Sequence, residues 1–322
     1  MVCYPSCIRY FWIPSAYLFV LLCSAFGDTD QSQSSPETRS LERVERSDKA
    51  PPNASVRERI VFLKSEIARH DDLYFKQANP EIGDFEYDQL KRELQNLERS
   101  HPEIALKSGS LPGIGDDRDG LFQSFPHEAP MLSLRKAYSN SALLRFHNQV
   151  AEACGTEAIT YLIEPKIDGI AISLIYQHGR LIRALTRGNG LEGDDITENM
   201  LTIASIPREL SRTSPSGKPI QVPELIELRG EVFSSFADFN EINRQREYDD
   251  EPPFAHPRSL AAGSAKLAMP SQAAQRKLSV LIFGYGSISP MSNAPKTQKE
   301  FYEIARSWGL PALPTVQTAE GF

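Results

Sequence analysis

Cysteine is scarce in this sequence, with only 4 among 322 residues. Cys3, Cys7 and Cys23 lie close to the amino terminus, which leaves Cys154 alone in the body of the chain. One cysteine can build neither a disulfide framework nor a thiolate zinc site. The body is therefore expected to fold around a hydrophobic core, with Cys154 packed at the end of a helix.

Basic residues are not in excess either. The chain has 35 Lys and Arg against 42 Asp and Glu, a net charge of −7, and its pI is about 5.5. Proteins that bind nucleic acid tightly on their own usually carry a basic surface, so this composition argues against such a role. A few Lys and Arg that face phosphates would still suffice for a local contact with a duplex. The length corresponds to about two domains.

A third shortage is of long apolar runs, since none is long enough for a confident membrane span. The apolar run at residues 16–26 has the length of a signal-peptide core, and Arg9 is the only charge in residues 1–27. Ala25 and Gly27 are small residues at a candidate cleavage site. We interpret residues 1–27 as a leader that indicates export or a membrane-proximal, periplasmic location. The alternative is a start codon placed too early.

A polar linker and a small helical hairpin are predicted next. Residues 28–53 are mixed in charge and rich in Ser, Glu and Arg, so they cannot bury a core. A first helix follows, a second begins near Asp84, and residues 72–83 form the loop between them. Apolar residues recur at helical spacing on both helices: Val56, Ile60, Leu63, Ile67, Tyr87, Leu90, Leu94 and Leu97. On this pattern alone, Asp84 is explained as a helix cap and Tyr87 as a core aromatic.

Further elements are predicted along the rest of the chain. Helices are expected at residues 141–154 (closed by Gly155), 197–205, 236–248 and 298–308, and strands at residues 224–233 and 278–285. Small residues between 261 and 265 would allow close helix packing. Two interpretations are open for Arg258 and Lys266, which either face phosphates of DNA or of a mononucleotide, or are solvated surface charges.

The chemistry is concentrated in residues 164–195, EPKIDGIAISLIYQHGRLIRALTRGNGLEGDD. Residues 170–176 and 181–187 are apolar and β-branched and flank a polar turn with a glycine, which predicts an antiparallel hairpin. Lys166 precedes the first strand and Arg187 ends the second, so the pairing brings these ends together. The glycines that follow Arg187 allow backbone amides to approach an anion closely. This layout suits a phosphoryl group.

A lysine amine becomes a nucleophile when desolvation or neighbouring cations lower its pKa. Arg187 is placed to lower the pKa of Lys166 and to neutralise charge on an attacked phosphate. Asp168 and Glu231 are candidates for contacts with a metal or a ribose. A K-x-D-G motif arises by chance in about one chain in fifteen of this length, and charges at strand ends are commonly just solvated. Alone, the motif is weak evidence.

The motif is accompanied by other blocks. In chain order they are HEAPMLSL at 127–134, EPKIDG at 164–169, TRGNG at 186–190, GDDIT at 193–197 and ELRGEVF at 227–233. Together, from about residue 54 onwards, they resemble the adenylation region of NAD-dependent DNA ligases in order and spacing. The resemblance implies an α+β fold. A helical domain at 54–126 that binds nicotinamide mononucleotide would precede an adenylation domain at 127–322, a DNA ligase/mRNA capping-type nucleotidyltransferase of antiparallel sheets flanked by helices.

The resemblance also implies a role for each matching residue. Lys166 would accept AMP through a phosphoramidate bond, Arg187 would contact the phosphate and ribose, and Glu231 would contact the ribose or a metal, with Asp168 completing the catalytic set. The remaining contacts would be Glu164 to the adenine, Ser133 and Leu134 to the nucleotide, and Tyr74, Asp84, Tyr87 and Asp88 to the nicotinamide half. The implied cofactors are NAD and Mg²⁺, the implied partner is nicked double-stranded DNA, and the family itself indicates a cytoplasmic location.

Two departures from the family pattern bear on function. Phe75 stands where the family has a histidine, so a stacking ring is kept and a hydrogen-bond donor is lost. The sequence also stops before the family's two lysine-bearing strands, oligonucleotide-binding barrel, zinc finger, helix-hairpin-helix motifs and BRCT domain. We therefore expect a short ligase homologue, truncated at its carboxyl end, that binds DNA weakly unless a partner chain supplies the rest. The alternatives are a degenerate nucleotide-binding protein and an ATP-using nucleotidyltransferase.

Overall fold

The structure is a computed structural model that describes residues 18–19, 55–75, 81–105, 116–118, 120–214, 216–313 and 317–321. Apart from residues 18–19, the predicted leader and linker lie outside the described residues, as do the side chains of Phe75 and Asp84. The described chain divides into a small unit, residues 55–70 and 82–105, and a larger unit that contains the rest. Within these residues, no helix has the length and apolar character needed to cross a membrane.

The described residues form helices and strands in an irregular order along the chain. The helices are α1 Val56–Phe75, α2 Asp84–Ser100, α3 Pro102–Ala105, α4 Asn140–Cys154, α5 Thr197–Met200, α6 Phe236–Tyr248, α7 Pro257–Ala265, α8 Pro270–Gln275 and α9 Gln298–Ser307. The strands are β1 Leu18–Phe19, β2 Ser124–Pro126, β3 Arg135–Lys136, β4 Thr160–Ile163, β5 Ile170–Gln177, β6 Arg180–Thr186, β7 Glu192–Asp194, β8 Leu225–Phe233, β9 Ser279–Ser289 and β10 Gln317–Glu320. A 3-10 turn spans Met291–Asn293.

In the small unit, α1 and α2 bury the apolar residues that the helical spacing predicted. Ile60, Leu63, Ile67 and Leu94 form its buried core. Residues 72–75, predicted as loop, are helical instead, because no Gly or Pro interrupts residues 56–79. The second helix is capped by Gly83 and not by Asp84. The Gly83 amide donates to the carboxylate of Glu86 at 3.0 Å.

The larger unit is organised around a four-stranded antiparallel sheet with the order β6-β5-β8-β9. The predicted hairpin is confirmed as β5 and β6, with the turn at His178 and Gly179. Side chains of α7 and α9 join the buried core of this sheet, among them Leu260 and Phe301. Together with the helical unit, this sheet confirms the α+β class.

Several elements differ from their predicted bounds. The helix predicted at 197–205 ends at Met200, and residues 201–206 form turns and bends instead. Pro207 disfavours helical conformation in the residue before it. Strand β9 continues four residues beyond Tyr285, through Gly286 to Ser289. The short pairs β2–β7 and β4–β10 were not predicted, since three or four residues are too few to show a period.

Asn199 connects α5 to the end of α7. It is buried, at 3 % exposure, and its amide nitrogen donates at 2.8 Å to the carbonyl oxygens of Ala265 and Leu267. Ala265 is the last residue of α7 and Leu267 lies just beyond it, so neither carbonyl can accept a hydrogen bond within the helix. The Asn199 amide therefore fixes the position of this helix end.

We predict that Asn199→Asp lowers the free energy of unfolding by about 2–4 kcal/mol, because a carboxylate cannot donate and its charge would be buried. Urea denaturation of the full chain measures the change. Asn240→Asp, on the exposed face of α6, is the matched control and should change stability by less than about 0.5 kcal/mol. Equal effects of both substitutions would contradict the capping role.

Candidate active site

Lys166 lies in the segment between β4 and β5, and both it and Asp168 are exposed. The next residue, Gly169, fixes this segment against β8, because its amide donates to Oε1 of Glu231 at 3.1 Å. A Cβ atom on Gly169 would lie 2.0 Å from the carbonyl oxygen of Val232. Only glycine therefore allows β5 to begin this close to β8. The contact brings the lysine motif and Glu231 to the same end of the sheet.

Arg258, on α7, joins the same group and is not simply a solvated charge. Its Nη1 donates to Oδ1 of Asp168 at 3.0 Å, and its guanidinium carbon lies 4.1 Å from the ring centroid of Tyr74. Burial lowers the pKa of Arg258, but Tyr74, Asp168 and Glu231 outweigh it and raise that pKa above its ordinary value. The site thus contains a permanent cation beside the lysine motif.

Glu231 is the titratable group at the centre of this arrangement. Burial raises its pKa to about 7, the charges of Lys166 and Arg258 act against the rise, and Asp168 adds to it. Near neutral pH the carboxyl group is therefore about half protonated. A group in this state can accept or return a proton with little free-energy cost.

Arg187 directly follows β6 and opens a tight loop. Gly188 has a φ of +57°, and a Cβ atom there would lie 1.8 Å from the carbonyl oxygen of Glu192. Burial lowers the pKa of Arg187, and the carboxylate of Asp117 opposes that effect. The same carboxylate accepts from the amide of Gly188 at 3.0 Å and from Oγ1 of Thr186 at 2.8 Å.

The loop amides differ from the predicted anion cradle. The Gly190 amide donates to the carbonyl of Arg187 at 3.0 Å, and Oδ1 of Asn189 accepts from the amides of Leu191 and Glu192. With the Gly188 amide bound to Asp117, these donors are used within the protein. The glycines therefore serve the turn itself, and the guanidinium of Arg187 supplies positive charge at this loop.

Lys266 is bonded within the protein, with a side chain only 15 % exposed, so it is not simply a solvated surface charge. Its Nζ lies 2.8 Å from Oδ2 of Asp194 and donates to the carbonyl of Asp117 at 2.5 Å. Asp194 is fully buried and also accepts from Oγ of Ser124 at 2.8 Å. Lys266 is therefore an internal ion-pair partner that anchors the segment containing Asp117.

Glu164 has a partner that the motif did not indicate. Oε2 of Glu164 accepts from the hydroxyl of Tyr302 at 2.6 Å, and Tyr302 is buried at 1 % exposure on α9. Burial raises the pKa of Glu164, and this hydrogen bond opposes the rise. The predicted helix at 298–308 contained Tyr302, but helical spacing alone cannot say that its hydroxyl contacts a residue 138 positions away.

The remaining predicted residues fall in two places. Ser133 is exposed and Leu134 partly buried, just after Met131, whose amide donates to the carbonyl of Gly190 at 2.8 Å. Tyr87 packs against the core of the small unit, as the structural interpretation predicted. Asp88 is partly buried on the same helix.

Cys154 ends α4 before Gly155, as predicted. Its thiol belongs to no metal-ligand cluster. In fact, no group of three or more His, Cys, Asp or Glu positioned to hold a metal ion occurs among the described residues.

Comparison with known families matches this architecture. Residues 119–322 match the NAD-dependent DNA ligase adenylation domain, and residues 53–109 match the DNA ligase-like, N-terminal NAD+-binding domain. The sheet, the lysine motif and the helical unit thus define a nucleotidyltransferase adenylation domain preceded by a helical domain. The chain belongs to the family of NAD-dependent DNA ligases, which confirms the resemblance found in its motifs.

Similar proteins are DNA ligases from several bacteria. DNA ligase 1 of Opitutus terrae is 48 % identical over 263 residues, which are 82 % of this chain and 38 % of that protein. DNA ligase 2 of the same organism is 42 % identical over 79 % of this chain and 35 % of its own length. The DNA ligase of Geobacter metallireducens is 39 % identical over 84 % of this chain and 39 % of its own. The chain therefore spans about two fifths of these relatives.

The raised pKa of Glu231 predicts a pH-dependent cost to stability. The folded state binds this proton more tightly than the unfolded state does. The stability that proton binding contributes is therefore complete below about pH 4.5 and is lost as the pH rises to about 7. Glu231→Gln stays neutral and can still accept from Gly169. We expect the variant to have the melting temperature of wild type at pH 4 and a higher one at pH 8. The difference at pH 8 corresponds to up to about 3 kcal/mol in the free energy of unfolding.

Differential scanning calorimetry at the two pH values measures this difference. The matched control is Glu247→Gln, an exposed position on α6. This variant should follow wild type at both pH values. A Glu231→Gln variant that is destabilised at pH 8 would contradict the assignment of a buried, reluctantly ionised carboxyl.

Proposed function

We propose that this chain catalyses the first step of NAD-dependent ligation, the transfer of AMP from NAD to Lys166. The observation that carries the proposal is the grouping of Lys166 with Glu231 and Arg258 at one end of the central sheet. Glu231 carries a carboxyl that titrates near neutrality. Family membership supports the same reaction, and the helical unit matches an NAD+-binding domain.

The step requires a free amine on Lys166. Its Nζ loses a proton and attacks the α-phosphorus of NAD, so a nitrogen–phosphorus bond forms. The pyrophosphate P–O bond breaks, and nicotinamide mononucleotide leaves with the electron pair. Glu231 is suited to take up the proton, because its pKa lies near the working pH. Arg187 and Arg258 supply positive charge for the phosphate oxygens.

The side chains present fit Mg²⁺ as a further source of positive charge. In nucleotide sites Mg²⁺ usually keeps several waters and takes one or two carboxylates together with substrate phosphates. Asp168, whose side chain is exposed, would hold it together with the substrate phosphates. When bound, the ion would neutralise charge on the phosphates of the substrate.

The next steps concern DNA. We infer that AMP passes from Lys166 to the 5′-phosphate of nicked double-stranded DNA, as expected for the family. The net charge of −7 favours weak binding to the duplex by this chain alone. A partner chain is one source of additional DNA contacts.

A second candidate rests on one residue. Phe75 replaces a hydrogen-bond donor in the region that the resemblance assigns to nicotinamide, which favours either ATP as the AMP donor or a protein that binds nucleotide without transfer. The two candidates predict different labelling of Lys166. An ATP-using enzyme labels Lys166 with AMP from ATP, and a binding module labels it from neither donor.

We predict that wild-type protein gains the mass of one AMP on incubation with NAD and Mg²⁺, and that Lys166→Ala does not. Intact-mass spectrometry, followed by peptide mapping, detects the adduct and its position. Lys218→Ala, in an exposed loop, is the matched control and should be labelled like wild type. Labelling that persists in Lys166→Ala would refute Lys166 as the acceptor.

A parallel incubation with ATP in place of NAD completes the test. Labelling by NAD alone supports the NAD-dependent reaction, and labelling by ATP alone would replace NAD in the proposal. Release of the AMP mass on addition of nicked duplex, with appearance of sealed product, tests the DNA steps separately.

A further inference from the structure

We propose that His127 is a positioning residue for the Arg187 loop, held as an imidazolium between that loop and the buried carboxylate of Glu227. His127 lies in the HEAPMLSL block and Glu227 lies on β8, so 100 residues separate them along the chain. Neither side chain has any exposed surface. The inference goes beyond the proposed AMP transfer and relies on it only for one of its readouts.

The environment of Glu227 requires it to be ionised. Its two oxygens accept from Oγ of Ser173 at 2.7 Å, from the amide of Ala129 at 3.1 Å and from Nη2 of Arg229 at 3.1 Å. Burial raises the pKa of Glu227, but the hydrogen bond with His127, the charge of Arg229 and the hydroxyl of Ser173 together hold that pKa below its ordinary value. A carboxylate without its own proton can accept from all of these groups at once.

Both ring nitrogens of His127 face acceptors. Nδ1 lies 3.3 Å from Oε1 of Glu227, and Nε2 lies 3.1 Å from the carbonyl oxygen of Arg187. A neutral imidazole has a single N–H, so either tautomer would direct a lone pair at an oxygen. A ring turned by 180° would place carbon atoms at both oxygens. The geometry is satisfied only when both nitrogens are protonated and both donate.

The hydrogen bond to Arg187 acts on the residue that opens the phosphate-facing loop. The main chain of the same segment supports it, since the His127 amide donates to the carbonyl of Leu191 at 2.9 Å. Close packing leaves the ring little freedom, because a Cβ atom on Gly193 would lie 3.2 Å from Nε2. The His127 side chain therefore connects Glu227 on β8 to the backbone of Arg187. This contact fixes the main chain from which the Arg187 guanidinium extends.

Arg229 completes this buried network. Besides Glu227, it donates to the carbonyl of Ala129, two residues after His127. The Arg229 guanidinium packs against Gly286. A Cβ atom on that residue would lie 2.3 Å from Nη2, so a larger residue there would displace the guanidinium. The carboxylate of Glu227 thus binds two cations, one within its own strand and one at the start of the HEAPMLSL block.

The first test observes the ring directly and needs no activity. In protein labelled with ¹⁵N-histidine at pH 7.5, the His127 resonances, assigned by their loss in His127→Asn, should show both nitrogens protonated. One nitrogen with the shift of an unprotonated imidazole would overturn the imidazolium. This result is independent of whether the chain transfers AMP.

The second test measures positioning of the loop. Amide hydrogen exchange at Gly190, which donates to the Arg187 carbonyl, should be at least 10-fold faster in His127→Asn, which cannot reach that carbonyl. His127→Gln keeps a donor near the Nε2 position and should restore most of the protection. His147→Asn, which removes another buried histidine, bonded to Tyr161 at 2.8 Å, is the matched control. Equal exchange in all variants would refute the positioning role.

The third test links the network to AMP transfer. His127→Asn should slow labelling of Lys166 at saturating NAD by about 10–100-fold, since a misplacement of about 1 Å in a site can cost about 10²-fold, and His127→Gln by less than about 5-fold. Because His127 acts through Arg187, adding His127→Asn to Arg187→Ala should cause no further loss. Additive losses would show a separate role for His127. If wild type transfers no AMP, the proposed function fails, and the resonance and exchange results still decide the positioning role.

Discussion

The pairing of β5 with β8 is the contact on which the rest of the site depends. It places the lysine motif, Gly169 and Glu231 at one end of the sheet, and the same register places Ser173 next to the Glu227–Arg229 pair. One strand therefore supports two clusters of opposite character. The Glu231 cluster lies beside the exposed lysine and titrates near neutrality, while the Glu227 cluster is fully buried and stays ionised.

These two carboxylates show how environment separates chemically identical groups. Glu227 and Glu231 lie four residues apart on β8, and burial acts on both. Glu227 is surrounded by donors, so its charge is stabilised. Glu231 accepts from one backbone amide and faces charges of both signs, so burial dominates and its pKa rises. The first is suited to hold structure and the second to exchange protons.

The helices and strands with a sustained apolar pattern could be predicted from the sequence, and the buried polar network could not. The hairpin and the helices that bury Ile60 and Leu63 follow from apolar spacing, which is a local signal. His127 and Glu227 are separated by 100 residues, and a glutamate inside a strand reads as an exposed position until its partners are known. Asp117 belonged to none of the motifs or elements named from the sequence. Its importance comes from tertiary contacts with Thr186 and Gly188 that no local pattern encodes.

The internally bonded loop after Arg187 has a consequence for how a nucleotide would be received. Flexible phosphate-binding loops lose conformational entropy when they close on a ligand, and that loss weakens affinity. Here the amides of Gly188, Gly190 and Leu191 are already paired within the protein. The entropy of ordering this backbone is therefore lost when the protein folds and not when a ligand binds. A phosphate that bound at Arg187 would meet a backbone that is already ordered.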